Sequence, residues 1–117
     1  MIRPDEPFDF ERIHGAADLA PGTARAFLVG RYEVAVFNVG GVLFALENSC
    51  PHQGGPLAEG WLEDSLVTCP WHGWCFNVET GRMTLGDFAR VPRFLVYRDG
   101  GDLLIGTEPL QDGSWRQ

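Results

Sequence analysis

The sequence predicts an all-β fold of antiparallel strands, and three observations carry that expectation. Fifteen Gly and eight Pro punctuate only 117 residues, so the chain turns too often for long helices. Its apolar segments are short and are separated by pairs such as Pro21-Gly22, Gly40-Gly41 and Gly100-Gly101, which favour turns between strands. No stretch carries a sustained apolar stripe at the 3.6-residue period of a helix. Ala16 to Ala20 is long enough for one helical turn and no more.

In chain order, Phe8-Asp9-Phe10-Glu11-Arg12-Ile13 alternates apolar and polar residues, the pattern of a half-buried edge strand. Pro21-Gly22 marks a turn ahead of a strand over Arg25-Ala26-Phe27-Leu28-Val29. Glu33 to Asn38 and Val42 to Glu47 flank Val39-Gly40-Gly41 and read as a hairpin. Both strands carry apolar residues at odd and even positions, as expected inside a sandwich. Trp61-Leu62-Glu63 and Leu66-Val67-Thr68 are short strands, and Phe76-Asn77-Val78 is a third, followed by the turn Glu79-Thr80-Gly81-Arg82. Phe94 to Arg98 and Asp102 to Gly106 bracket Asp99-Gly100-Gly101 as a last hairpin. The tail after Pro109 is expected to fray.

Length fits one domain spanning residues 1–117. At 44% apolar and 21% charged residues the composition is globular. A net charge of −7 argues against a nucleic-acid partner, because phosphate binding needs a basic face. It is compatible with docking on basic protein surfaces. Met1-Ile2-Arg3-Pro4-Asp5-Glu6-Pro7 lacks the apolar core of a secretory signal. The most apolar region, Phe27 to Leu46, is broken by Arg31, Glu33 and several Gly, so no transmembrane helix is expected. The expected compartment is the cytoplasm.

Chemistry concentrates in two stretches, Cys50-Pro51-His52 and Cys69-Pro70-Trp71-His72, with sixteen residues between His52 and Cys69. Each supplies one soft thiolate and one imidazole from a Pro-containing turn. A mixed Cys/His set suits zinc or an iron–sulfur cluster. Structural zinc sites usually group Cys with Cys and His with His, whereas here each loop supplies one of each. That division fits a [2Fe–2S] cluster held by Cys50 and Cys69 on one iron and His52 and His72 on the other, the His₂/Cys₂ pattern of a Rieske centre. A structural zinc domain is the competing reading. Cys75 reads as a small buried hydrophobe at the start of a strand, and His14 as a solvated surface residue.

Cys50-Pro51-His52-Gln53-Gly54-Gly55-Pro56-Leu57 and Cys69-Pro70-Trp71-His72-Gly73-Trp74 resemble the cluster loops of soluble Rieske ferredoxins, and Phe76-Asn77-Val78-Glu79-Thr80-Gly81 resembles the family's following strand and turn. The resemblance covers about residues 24–107 and is most diagnostic in the loops. It implies a Rieske-like antiparallel β-sandwich with a small inserted cluster-binding subdomain at about 47–87, and imidazoles that ligate through Nδ1 with Nε2 towards solvent. It places Pro92 in a third loop beside the cluster. High-potential members join the two loops by a disulfide at positions that here hold Gly55 and Trp71. Such members also carry Ser and Tyr hydroxyls where this chain has Trp74 and Phe76. These departures resemble the low-potential ferredoxins that serve oxygenases.

The expected function is therefore that of a soluble one-electron carrier, not an enzyme, between a flavin-dependent NAD(P)H reductase and a terminal oxygenase. The alternative is the small Rieske subunit of an assimilatory NAD(P)H nitrite reductase. Rieske oxygenases also need a mononuclear iron on two His and a carboxylate, and only His14 remains once His52 and His72 are assigned. No G-x-G-x-x-G stretch is present for a nucleotide. Trp71 and Trp74 are candidates for covering the cluster or for a docking surface, with ordinary packing the equal alternative for each.

Overall fold

A strand that is apolar at odd and even positions must bury both of its faces, and Tyr32–Val39 does so in the computed structural model, which describes residues 9–51, 54–71, 73–84 and 90–110. Among these residues the strands are β1 (Phe10–Ile13), β2 (Ala24–Val29), β3 (Tyr32–Val39), β4 (Val42–Glu47), β5 (Trp61–Glu63), β6 (Leu66–Thr68), β7 (Cys75–Asn77), β8 (Arg93–Phe94), β9 (Val96–Asp99) and β10 (Asp102–Gly106). They form three antiparallel sheets, in the orders β1-β10-β9, β2-β3-β4-β8 and β5-β6-β7. The all-β expectation is met; a single 3-10 turn at Leu57–Glu59 is the helical element among the described residues.

Successive side chains of a strand point to opposite faces, so β3 divides the interior in two. Ala35 and Phe37 face one core, which also holds Leu46, Cys50, Leu57, Val67, Cys69, Phe76, Val78 and Val91. Val34 and Val36 face the other, with Val29, Ala45, Phe94, Leu103 and Ile105. The first core lies under the sheet β5-β6-β7 and the two motif loops. The second joins β2-β3-β4-β8 to β1-β10-β9. Both motif cysteines are thus built into the packing of the central sheet.

The predicted strands recur with small shifts. Gly40-Gly41 closes β3–β4, with Val39 opposite Val42, and Gly100-Gly101 closes β9–β10, with Asp99 opposite Asp102. β1 is an edge strand paired with β10; Phe8 lies outside the described residues. The strand after the second loop starts one residue early, at Cys75, and Val78 falls in the turn.

Two expectations change. Phe94 to Arg98 is not one strand: Phe94 pairs with Ala45 in one sheet, and Val96 pairs with Ile105 in another. The chain switches sheets at Leu95, whose carbonyl accepts from the Gly106 N–H at 2.9 Å. Periodicity cannot register such a switch, because both halves remain extended. Ala16 to Ala20 forms turns and no helix. Its polar groups find partners outside the segment: Ala17 N–H donates to the Gly101 carbonyl at 3.1 Å, and Asn38 Nδ2 donates to the Leu19 carbonyl at 2.7 Å. Ala16 and Leu19 are left buried in the second core. The tail beyond residue 110 lies outside the described residues.

Polar contacts clamp β1 to the last hairpin. Arg12 donates to Asp102 at 2.9 Å and to Asp99 at 2.7 Å, and the Gly15 N–H donates to Asp102 at 2.8 Å. The Gly15 hydrogen bond, followed by that from Arg12, holds the Asp102 carboxyl below its ordinary value of 3.8. A carboxylate with a depressed folded-state pKa adds stability above its unfolded pKa, and that contribution is lost as pH falls through the folded value. Asp102→Ala is therefore expected to lower the urea midpoint at neutral pH, with the gap to the parent protein closing in strongly acid buffer. A gap independent of pH would refute the charge-based account.

Candidate metal centre

The first motif loop leaves the end of β4 and returns through the 3-10 turn at Leu57–Glu59; the second joins β6 to β7. Their sequences differ, yet their backbones close in the same way. In the first, Cys50 N–H donates to the Gly55 carbonyl at 2.8 Å, and Gly54 N–H donates to the Cys50 carbonyl at 2.7 Å. In the second, Cys69 N–H donates to the Trp74 carbonyl at 2.7 Å, and Gly73 N–H donates to the Cys69 carbonyl at 3.1 Å. Each Cys therefore bonds at offsets of four and five residues. The fourth residue after each Cys is a Gly with positive φ, 78° at Gly54 and 77° at Gly73, a conformation costly for a residue with a Cβ. Pro51 and Pro70 fix φ immediately after each Cys.

Cys50 and Cys69 are each 1% exposed and belong to the same apolar cluster. Both carry thiols rather than a disulfide. His52, Gln53 and His72 lie outside the described residues, so the structure brings together the thiol half of the expected ligand set. A Cβ built on Gly55 would stand 2.7 Å from Cys69 Sγ, and 3.1 Å and 3.2 Å from Cγ and Cδ2 of Trp71. The backbone of the first loop thus reaches the thiol of the second. Two buried thiols on matched loops, in an apolar setting with close backbone approach, fit a soft-metal or iron–sulfur group.

Two further residues shape the loops. Asn48, buried just before the first loop, accepts from Ala58 N–H at 2.7 Å through Oδ1 and donates from Nδ2 to Glu33 at 3.2 Å. It ties the loop's entrance to its exit and to β3. A Cβ on Gly60 would collide with the Thr68 carbonyl, so the exit of the first loop presses on the residue before Cys69. The sequence reading singled out neither. The available signal for Asn48 was a polar residue between an apolar strand and a ligand motif.

The other expected residues divide. Cys75 lies half-buried on β7, opposite Thr68, rather than fully buried. His14 is 83% exposed, with Nδ1 3.5 Å from Asp102, and stands on the β1–β10 side of the molecule. Phe76 is fully buried beside both cysteines in the first core, Trp74 packs against that core, and their rings are 6.5 Å apart. Trp71 remains exposed. The Pro92 carbonyl accepts from Glu47 N–H at 2.9 Å, which places this residue at the stem of the first loop; residues 85–89 before it lie outside the described residues.

A model of the Rieske [2Fe-2S] domain matches residues 10–95. The chain belongs to the Rieske [2Fe-2S] family. It is 38% identical over 98 residues to the ferredoxin component of biphenyl 2,3-dioxygenase from Rhodococcus jostii, covering 83% of this chain and 92% of that protein. It is 39% identical over 108 residues to the ferredoxin component of the alkene monooxygenase system of Xanthobacter autotrophicus, covering 90% and 88%. A solved complex of reduced oxygenase and oxidized ferredoxin in carbazole 1,9a-dioxygenase contains a chain of the same fold. That chain has a TM-score of 0.79 and 31% identity, with 88% of this chain and 97% of that one covered. Two solved structures attributed to nitrite reductase small subunits share the fold at 16% and 19% identity, a likeness of fold alone.

The Rieske assignment makes Asn48 testable. Its removal takes the acceptor from the part-buried Ala58 amide, a loss of about 0.5–1.5 kcal/mol. Asn48→Ala is expected to lower unfolding free energy by that amount and to speed cluster loss to a chelator. Unchanged values in both urea unfolding and absorbance bleaching would show that Asn48 does not secure the loop.

Proposed function

We propose that the chain is the ferredoxin component of an oxygenase system, taking electrons singly from a flavin-dependent NAD(P)H reductase and passing them to a terminal oxygenase. The observation that carries this reading is 38% and 39% identity, over 83% and 90% of the chain, to ferredoxin components of two oxygenase systems. A ferredoxin–oxygenase complex solved for a relative of the same fold supports the acceptor class. The chain acts as an electron-transfer component rather than a catalytic enzyme. No helix among the described residues is long and apolar enough to cross a membrane, and we place the protein in the cytoplasm. The nitrite reductase alternative has only fold-level likeness behind it.

We assign Cys50, His52, Cys69 and His72 as the cluster ligands, and treat residues 1–117 as one working domain. When bound, the cluster supplies a one-electron couple, less negative than an all-Cys cluster because two thiolates are replaced by neutral imidazoles. The protein's part is to change little. Buried cysteines, Gly-bearing loops closed by their own amides and the underlying Phe37 face of β3 limit rearrangement. Trp74 and Phe76 bring no hydroxyl towards the cysteine sulfurs, so one lever that raises potential is missing.

Purified protein is expected to hold about two irons and two sulfides per chain. Cys50→Ser or Cys69→Ser should abolish or severely reduce that content, while Cys75→Ala should leave the visible spectrum nearly unchanged. Loss of the cluster in Cys75→Ala would overturn the ligand assignment. The midpoint potential is expected near the bottom of the Rieske range of roughly −150 to +300 mV. Protein-film voltammetry giving a value above about +150 mV would contradict a carrier poised between NAD(P)H and an oxygenase.

A further inference from the structure

Each motif loop is closed by its own hydrogen bonds, and those bonds do not hold one loop against the other. Cys50 and Gly54 bond within the first, Cys69 and Gly73 within the second. Among the described residues, the first loop comes close to the second at Gly55, where an added Cβ would run into Cys69 Sγ and the five-membered part of the Trp71 indole. Trp71 is 56% exposed. An indole left so far in water is poorly explained as core packing, but a ring covering a glycine backbone excludes water from that seam and resists sliding. Gly55 is itself buried, and a larger residue there would drive the ring and the thiol away.

We propose that Trp71 is a positioning residue that clamps the second loop onto the Gly55 backbone of the first, keeping the two cysteines in register for the cluster. This inference rests on the Rieske reading with Cys50 and Cys69 as ligands, and adds a non-covalent device between the loops. The clamp is directional in sequence space: it needs a flat ring at position 71 and the absence of a Cβ at position 55. It predicts that a ring, rather than bulk alone, is what matters at position 71.

The test compares wild-type holoprotein with Trp71→Ala, Trp71→Leu and Trp71→Phe. Bleaching of the visible absorbance is followed in excess iron chelator, with hydrogen exchange at the loop and β3 amides as a second readout. Loss of the aromatic contact should speed bleaching about three- to tenfold in Trp71→Ala. Trp71→Phe should restore most of the lifetime, and Trp71→Leu much less. Exchange at the Cys50 and Cys69 amides should quicken in Trp71→Ala while the β3 amides stay protected. Bleaching of Trp71→Ala at the wild-type rate would overturn the clamp, as would equal rescue by Leu and Phe, or faster exchange throughout β3. Absence of a [2Fe–2S] spectrum from wild-type protein would instead overturn the Rieske reading beneath it.

Discussion

The burial of β3 on both faces is the constraint on which the rest of this molecule depends. Because Ala35 and Phe37 point one way and Val34 and Val36 the other, one strand supplies the floor of the cysteine-bearing core and the wall of the core beneath β1-β10-β9. The motif loops are therefore fastened to the best-packed part of the chain. Cys50 and Cys69 belong to that floor as much as Leu46 or Phe76 does. An electron carrier benefits because rearrangement around the redox group slows transfer, and close-packed interiors resist rearrangement.

On this floor the two loops solve one backbone problem twice. Both bond the Cys N–H to the fifth residue on, both return an amide from the fourth, and both use Gly at positive φ there. The imidazole stands at the second residue after Cys50 but at the third after Cys69. The two motifs thus share a pattern of backbone closure although their Cys-to-His spacings differ in the sequence.

Much of this was legible in the sequence because the informative signals are local. Paired turn residues such as Gly40-Gly41 and Gly100-Gly101 delimit hairpins whose strands the structure reproduces. The ligand motifs declare soft-metal chemistry within a few residues of one another. What escaped was non-local or silent in periodicity. At Leu95 the chain passes from one sheet to another between two strand segments that look alike in sequence. Asn48 finds its amide partner ten residues downstream, across the loop. The approach of Gly55 to Cys69 and Trp71 spans the interval between the motifs, and nothing at either position alone announces it. Ala16 to Ala20 misled because its polar groups are satisfied by Gly101 and Asn38 rather than along a helix.

The central claim is that one cluster is shared between two thiolates and two imidazoles from these loops. Pulsed electron paramagnetic resonance of the reduced protein, grown with ¹⁵N-labelled histidine, tests it most directly. The account predicts couplings from two histidine nitrogens, both retained in His14→Ala and with one lost on replacing either His52 or His72. A spectrum without histidine nitrogen coupling, or one that changes with His14 rather than with His52 and His72, would contradict it.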